Sequence, residues 1–204
     1  TLSVGGEPAA TANVGDTVTV TTQPDEGYAL TALAWQQAGG EAVDILEAKS
    51  FAMPAADVTV TAEFSRLYAI TGVGDGLSFT VDGREAGQAV AWAAVEVTVT
   101  PPEGSILSSL TYSFHPDVTV DITQSRSFYM PQADVTVTAV YLNTGDIRKV
   151  TEIATEEDLR MLAAGVNNGI YTYEGETVTL KNDVALTGAW TPIGNGSSGS
   201  SSTG

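Results

Sequence analysis

The chain repeats itself. When the sequence is shifted by 77 positions, residues 1–65 align with residues 78–142 without a gap, and 26 of the 65 pairs are identical. The strongest match runs over residues 51–62 and 128–139, where Phe-x-Met-Pro is followed by Asp-Val-Thr-Val-Thr-Ala. A fixed period of this kind is typical of modules arranged along a chain rather than of one large core. We therefore predict two similar small domains, followed by a segment of different pattern.

Composition limits the classes of partner. The 204 residues include 25 acidic and 8 basic side chains, a formal net charge of −17, and no cysteine. Such a negative field repels phosphate backbones and anionic membranes, so we expect no nucleic acid partner and no membrane insertion. The longest apolar run, residues 89–95, is far shorter than the ~20 residues of a membrane-spanning helix. Disulfides, thiolate metal sites and Cys nucleophiles are excluded.

Alternation of side chains predicts β-structure in both repeats. Valine alternates with polar residues over 17–21 and 94–98, and again over 58–64 and 135–141. This period of two indicates strands with one buried face, and Val and Thr suit a pleated surface. The Phe-x-Met-Pro motif that precedes the second alternation predicts a short strand and then a tight turn. Residues 83–94 align with a stretch that contains Gly and Pro, so we expect loop or strand there rather than helix.

The predicted core has eight equivalent positions in each repeat. In the first repeat they are Val18, Val20, Leu30, Leu33, Phe51, Met53, Val58 and Val60. In the second they are Val95, Val97, Leu107, Leu110, Phe128, Met130, Val135 and Val137. Between them, the Pro-x-Glu-Gly stretches at 24–27 and 101–104 predict matching turns.

The two repeats differ at their beginnings. Residues 68–76 lead into the second repeat, whereas the first repeat has no counterpart because the chain starts too late. We therefore predict that the first module lacks its first strand and is less stable than the second.

The pattern changes after residue 142. Thr155 followed by Glu156, Glu157 and Asp158 predicts a helix start with a capping box, and Asn167-Asn168-Gly169 predicts its end. Short strands are expected at residues 177–180 and 184–186. The tail at 195–204 contains only Gly, Ser, Thr and one Asn, and its composition predicts flexibility.

Two resemblances follow from these motifs. Residues 1–142 resemble the divergent B-repeat modules of listerial internalin-like surface proteins, through the Pro-x-Glu-Gly turn and the closing Met-Pro-x-x-Asp-Val-Thr-Val-Thr-Ala pattern. That resemblance implies small all-β domains that act as spacers or adhesive stalks and have no catalytic residues. Residues 151–194 resemble the opening of secreted right-handed β-helix proteins, through Thr-Glu-Glu-Asp-Leu, Asn-Asp-Val and Trp-Thr-Pro-Ile-Gly. Only a cap and first rung are implied.

Few residues are candidates for a site. His115, the single histidine, has no nucleophile pattern near it, so an incidental loop histidine is favoured over a catalytic base. Helix-start electrostatics explains residues 156–158 better than carboxylate catalysis or calcium does. Asp75 and Asp82 lie beside glycines but lack a dense series of acids, so a calcium site is not favoured.

Aromatic residues give the remaining candidate. Trp35, Tyr112, Trp92 and Trp190 are candidates for a carbohydrate-stacking platform. Trp35 and Tyr112 occupy equivalent positions on an apolar strand face, and core packing is the favoured interpretation for both.

The sequence as a whole predicts a mainly β chain with four parts. They are module 1 (1–65), module 2 (66–142), a short helix with a partial β-helix cap (143–194) and the tail (195–204). We expect a non-catalytic structural or adhesive segment of a secreted or wall-attached bacterial protein, in which stiffness between modules matters. The alternative is a glycan-binding or accessory module of a polysaccharide-degrading β-helix enzyme. No cofactor or metal is expected, the chain is expected to be a monomer, and a surface protein or glycan is the expected partner.

Overall fold

A computed structural model describes residues 1–187 and 190–194 of the chain. It divides into two compact units, Thr1–Tyr68 and Ala69–Gly204. The first unit holds the first repeat, and the second holds the second repeat together with the C-terminal segment. The predicted tail lies outside the described residues.

The described residues form seventeen strands and one helix. In chain order they are β1 (Leu2–Val4), β2 (Glu7–Pro8), β3 (Thr17–Val20), β4 (Tyr28–Gln37), β5 (Val43–Asp44), β6 (Ser50–Ala52), β7 (Val58–Val73), β8 (Leu77–Val81), β9 (Arg84–Glu85), β10 (Gln88–Val90), β11 (Ala94–Val99), β12 (Ser105–His115), β13 (Val118–Asp121), β14 (Ser127–Tyr129), β15 (Val135–Asn143), β16 (Glu152–Ile153), α1 (Glu156–Asn167) and β17 (Thr179–Leu180). The prediction of loop or strand over 83–94 is confirmed, because this stretch contains β9 and β10.

The first unit contains two groups of antiparallel strands. One has the order β2-β1-β3-β6, and Leu2 lies opposite Val20 in its centre. In the other, β4 pairs with β5 on one side and with residues 58–66 of β7 on the other. Phe51 and Val58 therefore lie on strands that flank the same turn but pair with different neighbours.

The second unit repeats both groups and adds a parallel pairing. The order β14-β11-β8-β9 matches the first group, and β12 pairs with β13 and β15 as β4 does with its neighbours. In addition, residues 70–73 of β7 pair in parallel with β15, with Ile70 opposite Val135. The expectation of purely antiparallel modules is therefore wrong at this position. Residues 70–73 precede the second repeat in the chain, and they run parallel to β15, the strand that closes that repeat.

Local details recur at the period of 77 residues. Gly27 and Gly104 have φ angles of 78° and 74°, which the left-handed position of each predicted turn requires. The register of β4 against β7 shifts between Leu30 and Ala32, and that of β12 against β15 shifts between Leu107 and Ser109. The predicted turns are confirmed, and the duplicated β-bulge is a feature that alternation alone did not indicate.

The predicted core is confirmed fully in the second repeat and partly in the first. All eight positions of the second repeat are buried, among them Met130, Val135 and Val137 at 2% exposure or less. In the first repeat Val18, Val20, Leu33 and Phe51 are buried. The prediction of full burial is wrong for four positions, which are only half-buried against this core: Leu30, Met53, Val58 and Val60. In the second repeat, the counterparts of Val58 and Val60 are Val135 and Val137, which lie opposite Ile70 and Gly72.

The C-terminal segment contains the predicted helix. Thr155 caps α1, its hydroxyl accepts the Asp158 amide at 3.2 Å, and the Asp158 carboxylate accepts the Thr155 amide at 3.1 Å. Of the two predicted strands, only Thr179–Leu180 forms, and it pairs in parallel with β16. Residues 184–186 are not a strand. Within the described residues, no helix combines the length and apolarity needed to cross a bilayer.

Candidate functional site: an aromatic surface in the second repeat

Trp35 and Tyr112 occupy the same place in the two repeats. Trp35 lies on β4 and stacks on Phe51 with ring centroids 4.9 Å apart and an interplanar angle of 13°. Tyr112 lies on β12 and stacks on Phe128 at 4.4 Å and 18°. Both side chains are half-buried. One face of each ring therefore packs on a buried phenylalanine, as the core-packing interpretation expects.

The surroundings of the two rings differ. Tyr112 has a second aromatic neighbour, Phe114, at 6.1 Å between centroids. The residue that corresponds to Phe114 in the first repeat is Gln37. Tyr112 therefore contacts two aromatic rings, the buried Phe128 and the more exposed Phe114. Among the described residues, Trp35 stacks on Phe51 alone.

Trp92 is exposed and backbone-strained. Its side chain is 71% exposed, and its φ angle is 68°, a conformation that is unusual for a bulky residue. The Trp92 amide donates to the Met130 carbonyl at 2.8 Å, which fixes the residue beside the end of β14. The equivalent Gly15 donates in the same way to Met53, at φ 87°. The second repeat therefore places a tryptophan where the backbone favours glycine.

Tyr129 completes the cluster. It is 70% exposed on β14, where the first repeat has Ala52. An open groove of about 670 Å³ is lined by these aromatic side chains and by polar ones. We call the group Trp92, Tyr112, Phe114 and Tyr129 the aromatic surface. Polar side chains at the groove are Asp121, Ser125, Ser127 and Gln132.

The aromatic surface offers flat apolar rings beside hydrogen-bonding groups. Exposed aromatic rings grouped in this way mark a site of interaction more often than an isolated exposed side chain does. Asp121 is held in place, because its carboxylate accepts the Thr123 amide at 2.7 Å and the Thr191 hydroxyl at 2.9 Å. The arrangement suits a ligand that stacks on rings and donates hydroxyl hydrogen bonds.

Trp190, the fourth predicted aromatic candidate, lies elsewhere. It lines a separate cavity of about 420 Å³, together with Arg126, Arg160 and Thr191. The structure thus brings Trp92 and Tyr112 to one groove, places Trp190 at another and leaves Trp35 in the first repeat.

His115 is exposed at the end of β12. Its Nδ1 accepts the Asp117 amide at 3.4 Å and lies 3.8 Å from the Asp117 carboxylate. Within residues 1–187 and 190–194, neither a serine nor a threonine hydroxyl hydrogen-bonds this imidazole. The expected loop position is therefore wrong, because His115 is the last residue of β12 and caps the turn that follows it.

The acids at the start of α1 act within the fold. Asp158 accepts hydrogen bonds from the Arg148 guanidinium, the Ala154 amide and the Thr155 amide and hydroxyl, and the pKa of its carboxyl falls to about 2. Hydrogen bonds from Thr187 and Arg160 lower the pKa of Glu156. These partners match the helix-start interpretation.

Asp75 and Asp82 do not join other acids. The backbone carbonyl of Asp75 accepts the Tyr141 hydroxyl, and burial raises the pKa of that tyrosine. Asp82 sits in a turn with φ 51°. In the described part of the chain, no three His, Cys, Asp or Glu side chains come together in a metal-binding group.

Sequence reasoning missed Phe114 and Tyr129. A signal for them was present in the alignment of the repeats, because Gln37 and Ala52 are replaced by aromatic residues at these positions. Differences between duplicated modules indicate where one copy has acquired a property that the shared fold does not need.

These observations define a class of protein: tandem all-β repeat domains that share one topology. The model of the divergent InlB B-repeat domain family matches residues 3–67 and 70–145, and the chain belongs to that family. Membership indicates a bacterial surface repeat module. Comparison with curated proteins and with solved structures gives no significant match.

Proposed function

We propose that this chain is a non-catalytic spacer or stalk segment of a secreted or wall-attached bacterial surface protein. The proposal is supported by family membership and by the duplication of one scaffold. The main observation behind the proposal is that backbone hydrogen bonds and strand pairs recur at equivalent positions of the two repeats. The Ile45 amide donates to Leu33 and the Ile122 amide donates to Leu110, both at 2.8 Å, and Leu2 and Phe79 pair with Val20 and Val97. Repeating a framework while its surface varies adds length without requiring a new site.

Mechanical unfolding of single chains tests the spacer role. A spacer has to keep its folded length under load, so pulling the chain between its ends should give discrete unfolding events. Release of a module of 65 aligned residues adds up to about 3.5 Å of contour length per residue. Leu33→Ala should lower the force of one event and Leu110→Ala that of the other, because both leucines are at most 1% exposed. Gradual extension without discrete events would contradict the proposal.

The net charge of −17 fits a location outside the cell membrane, where it keeps neighbouring stalks apart and repels polyanions. Labelling of intact cells with a membrane-impermeant amine reagent tests the localisation. The parent protein should be modified before cell lysis, with a cytosolic protein as the unlabelled control. Protection until lysis would contradict an extracellular location.

The aromatic surface favours glycan binding as a second candidate function. Trp92 and Tyr129 expose 71% and 70% of their surface around the same groove, although neither is needed at the equivalent positions Gly15 and Ala52. Sugar rings present flat C–H faces that stack on aromatic rings, and their hydroxyl groups suit Asp121 and Gln132.

A glycan array with matched variants tests this candidate. Binding by the intact chain should be lost in Trp92→Ala and Tyr129→Ala and retained in Trp35→Ala, because Trp35 belongs to the first repeat. Loss in Tyr112→Ala is expected too, and its circular dichroism has to be compared with that of the intact chain, because Tyr112 also packs on Phe128. Absence of binding to any saccharide would leave the spacer function alone.

We further propose that residues 143–194 form the capped start of a β-helix. Support comes from the parallel pairing of Glu152 and Ile153 with Thr179 and Leu180, since parallel stacking is what successive coils of a β-helix require. In a longer polypeptide that contains this segment, hydrogen exchange at Leu180 should be slower than in the present chain. Equal exchange rates would contradict a continuing coil.

A further inference from the structure

The cavity beside Trp190 is built by three parts of the second unit. It has a volume of about 420 Å³, within the ~300–1,000 Å³ of small-molecule sites. Ser108 and the corner at residues 123–126 form one wall, and α1 forms another through Ala163 and Ala164, which are both 6% exposed. Because these two side chains are short, they leave space beside the helix. Trp190, which is half-buried, borders the cavity from the segment that follows α1.

The charge at this cavity differs in sign from that of the whole chain. The chain carries a net charge of −17, yet none of the described residues that line the cavity is acidic, and two basic ones, Arg126 and Arg160, do line it. The Arg160 guanidinium donates to the Glu156 carboxylate at 2.6 Å and to the Thr187 carbonyl at 3.1 Å, so an acid balances its charge. The charge that remains at the cavity is therefore that of Arg126.

Arg126 lacks an acidic partner. Its Nε–H donates to the Thr123 carbonyl at 2.8 Å, and no carboxylate of the described residues forms an ion pair with its guanidinium. The chain outside the described ranges contains no Asp or Glu. Arg126 is half-buried, whereas the other basic side chains without an ion pair are exposed: Lys49, Arg66 and Arg84. Since partial burial of a cation costs free energy, a bound anion would stabilise this guanidinium.

The first repeat shows that the corner does not need this chemistry. Lys49 and Arg126 are equivalent, have φ angles of 50° and 52°, and each donates its amide to the isoleucine four positions earlier, at 2.7 and 2.9 Å. Glu47 of the first repeat corresponds to Gln124, so the second repeat has a neutral amide where the first has a carboxylate. The same backbone thus carries an acid in one copy and only a cation in the other.

The β-bulge of β12 adds a hydroxyl group to the cavity. Ser108 is the extra residue of this bulge, between Leu107 and Ser109. The equivalent hydroxyl of Thr31 lies 3.0 Å from that of Ser65, whose position is a leucine in the second repeat. The Ser108 hydroxyl therefore has no side-chain partner in the described part of the chain. Bulges often direct a side chain toward a site in this way.

We propose that this cavity binds an acidic sugar residue through its carboxylate. The Arg126 guanidinium pairs with the carboxylate, and the Ser108 hydroxyl and the Gln124 amide bond the ring hydroxyl groups. Trp190 offers an aromatic ring to the C–H face of the sugar. The volume holds more than a single inorganic anion. The site is independent of the aromatic surface, because the described residues that line the two have no member in common.

Titration of the full chain with D-glucuronate and D-galacturonate tests the proposal, with D-glucose and D-galactose as neutral controls. The acidic sugars should shift the NMR signals of the Arg126 Nε–H and the Trp190 indole N–H, and the neutral sugars at the same concentration should not. Acetate and inorganic phosphate are the controls for an anion without a sugar ring. Equal shifts from the neutral sugars, equally strong binding of acetate or phosphate, or no shift from either acidic sugar would overturn the proposal.

Protein variants make the test specific. Arg126→Gln should weaken binding about tenfold or more, because a charge-assisted pair is lost. Gln124→Glu restores the acid of the first repeat at an exposed position, so it should weaken binding several-fold with an unchanged circular dichroism spectrum. Lys49→Gln in the first repeat is the matched control and should have no effect, and Trp92→Ala should leave the shifts from the acidic sugars unchanged. Binding that survives Arg126→Gln, or that Gln124→Glu does not alter, would overturn the proposal.

Discussion

Trp92 stands 77 positions after Gly15, and both residues adopt a left-handed backbone, with φ angles of 68° and 87°. Each donates its amide to the methionine of the Met-Pro turn at 2.8 Å. Both repeats use this conformation, but only the second repeat carries a large side chain there. The second repeat therefore carries an exposed tryptophan in a conformation that costs backbone energy, a combination that the shared fold does not require.

Trp92→Gly should therefore remove the exposed ring without harming the fold. A non-glycine residue in the left-handed region costs about 1–2 kcal/mol, part of which the greater freedom of glycine in the unfolded chain offsets. We expect the free energy of unfolding of the second unit to stay equal or rise by up to about 1 kcal/mol, measured by urea denaturation. Gly15→Trp should lower the free energy of unfolding of the first unit, although a Cβ at position 15 would meet open space. A destabilised Trp92→Gly variant would show that the ring has a structural role.

Truncating the two equivalent methionines should have unequal effects. Met130 is fully buried and Met53 is half-buried. Met130→Ala should cost about 2–5 kcal/mol and Met53→Ala roughly half as much, because the cavity left at Met53 is already open to solvent. Chemical denaturation of both variants provides the comparison. Equal losses would mean that Met53 is buried as deeply as Met130 in solution.

The first unit should unfold before the second. Its repeat has half-buried positions where the second repeat has buried ones, so it gains less from apolar burial. Hydrogen exchange of the intact chain should show faster exchange at Val58–Thr61 than at Val135–Thr138. Equal protection of the two segments would contradict this order.

Gly76→Ala should be one of the most damaging single-methyl additions. Gly76 has a φ angle of 69°, and a Cβ there would lie 1.9 Å from the Thr100 carbonyl oxygen. Backbone strain and steric overlap together predict a loss of about 3 kcal/mol or more. Gly83→Ala is the matched control, because its φ is 71° but its Cβ meets open space, and a loss of about 1 kcal/mol is expected. Similar melting temperatures for the two variants would refute the steric explanation.

Acid should destabilise the start of α1 through Asp158. Its pKa of about 2 in the folded chain lies below the ordinary value near 3.9, so the unfolded state takes up a proton first as the pH falls. The stabilisation is complete above about pH 4 and is lost progressively as the pH falls toward 2. Asp158→Asn should lower stability at pH 7 and flatten its dependence between pH 4 and 2.

The control for Asp158→Asn is Glu157→Gln, a neighbour that is exposed and has no side-chain hydrogen bond in the described part of the chain. Helix content followed by circular dichroism during urea denaturation at several pH values gives both profiles. An unchanged pH profile in Asp158→Asn would exclude the carboxylate as the source of the effect.

Local features of the fold followed from the sequence. The repeat, the Pro-x-Glu-Gly turns, the alternating strands and the capped helix depend on neighbours within a few residues, so the order of side chains specifies them. The burial of Val95, Val97, Val135 and Val137 followed from the same alternation, and that of Phe128 and Met130 from their spacing of two in the Phe-x-Met-Pro motif. The weaker burial of Met53, Val58 and Val60 did not, because it depends on a strand that pairs from outside the repeat.

Tertiary structure alone decided the rest. Ile70 lies opposite Val135, 65 positions away, and no local pattern encodes that parallel pairing. Likewise, Trp92, Phe114 and Tyr129 come from separate strands or turns, and only folding brings them to one groove. The sequence by itself determined the modules and their duplication, because short-range sterics and side-chain period suffice for those. The parallel pairing of Ile70 with Val135 and the aromatic surface depend on which distant segments meet, and packing in three dimensions decides that.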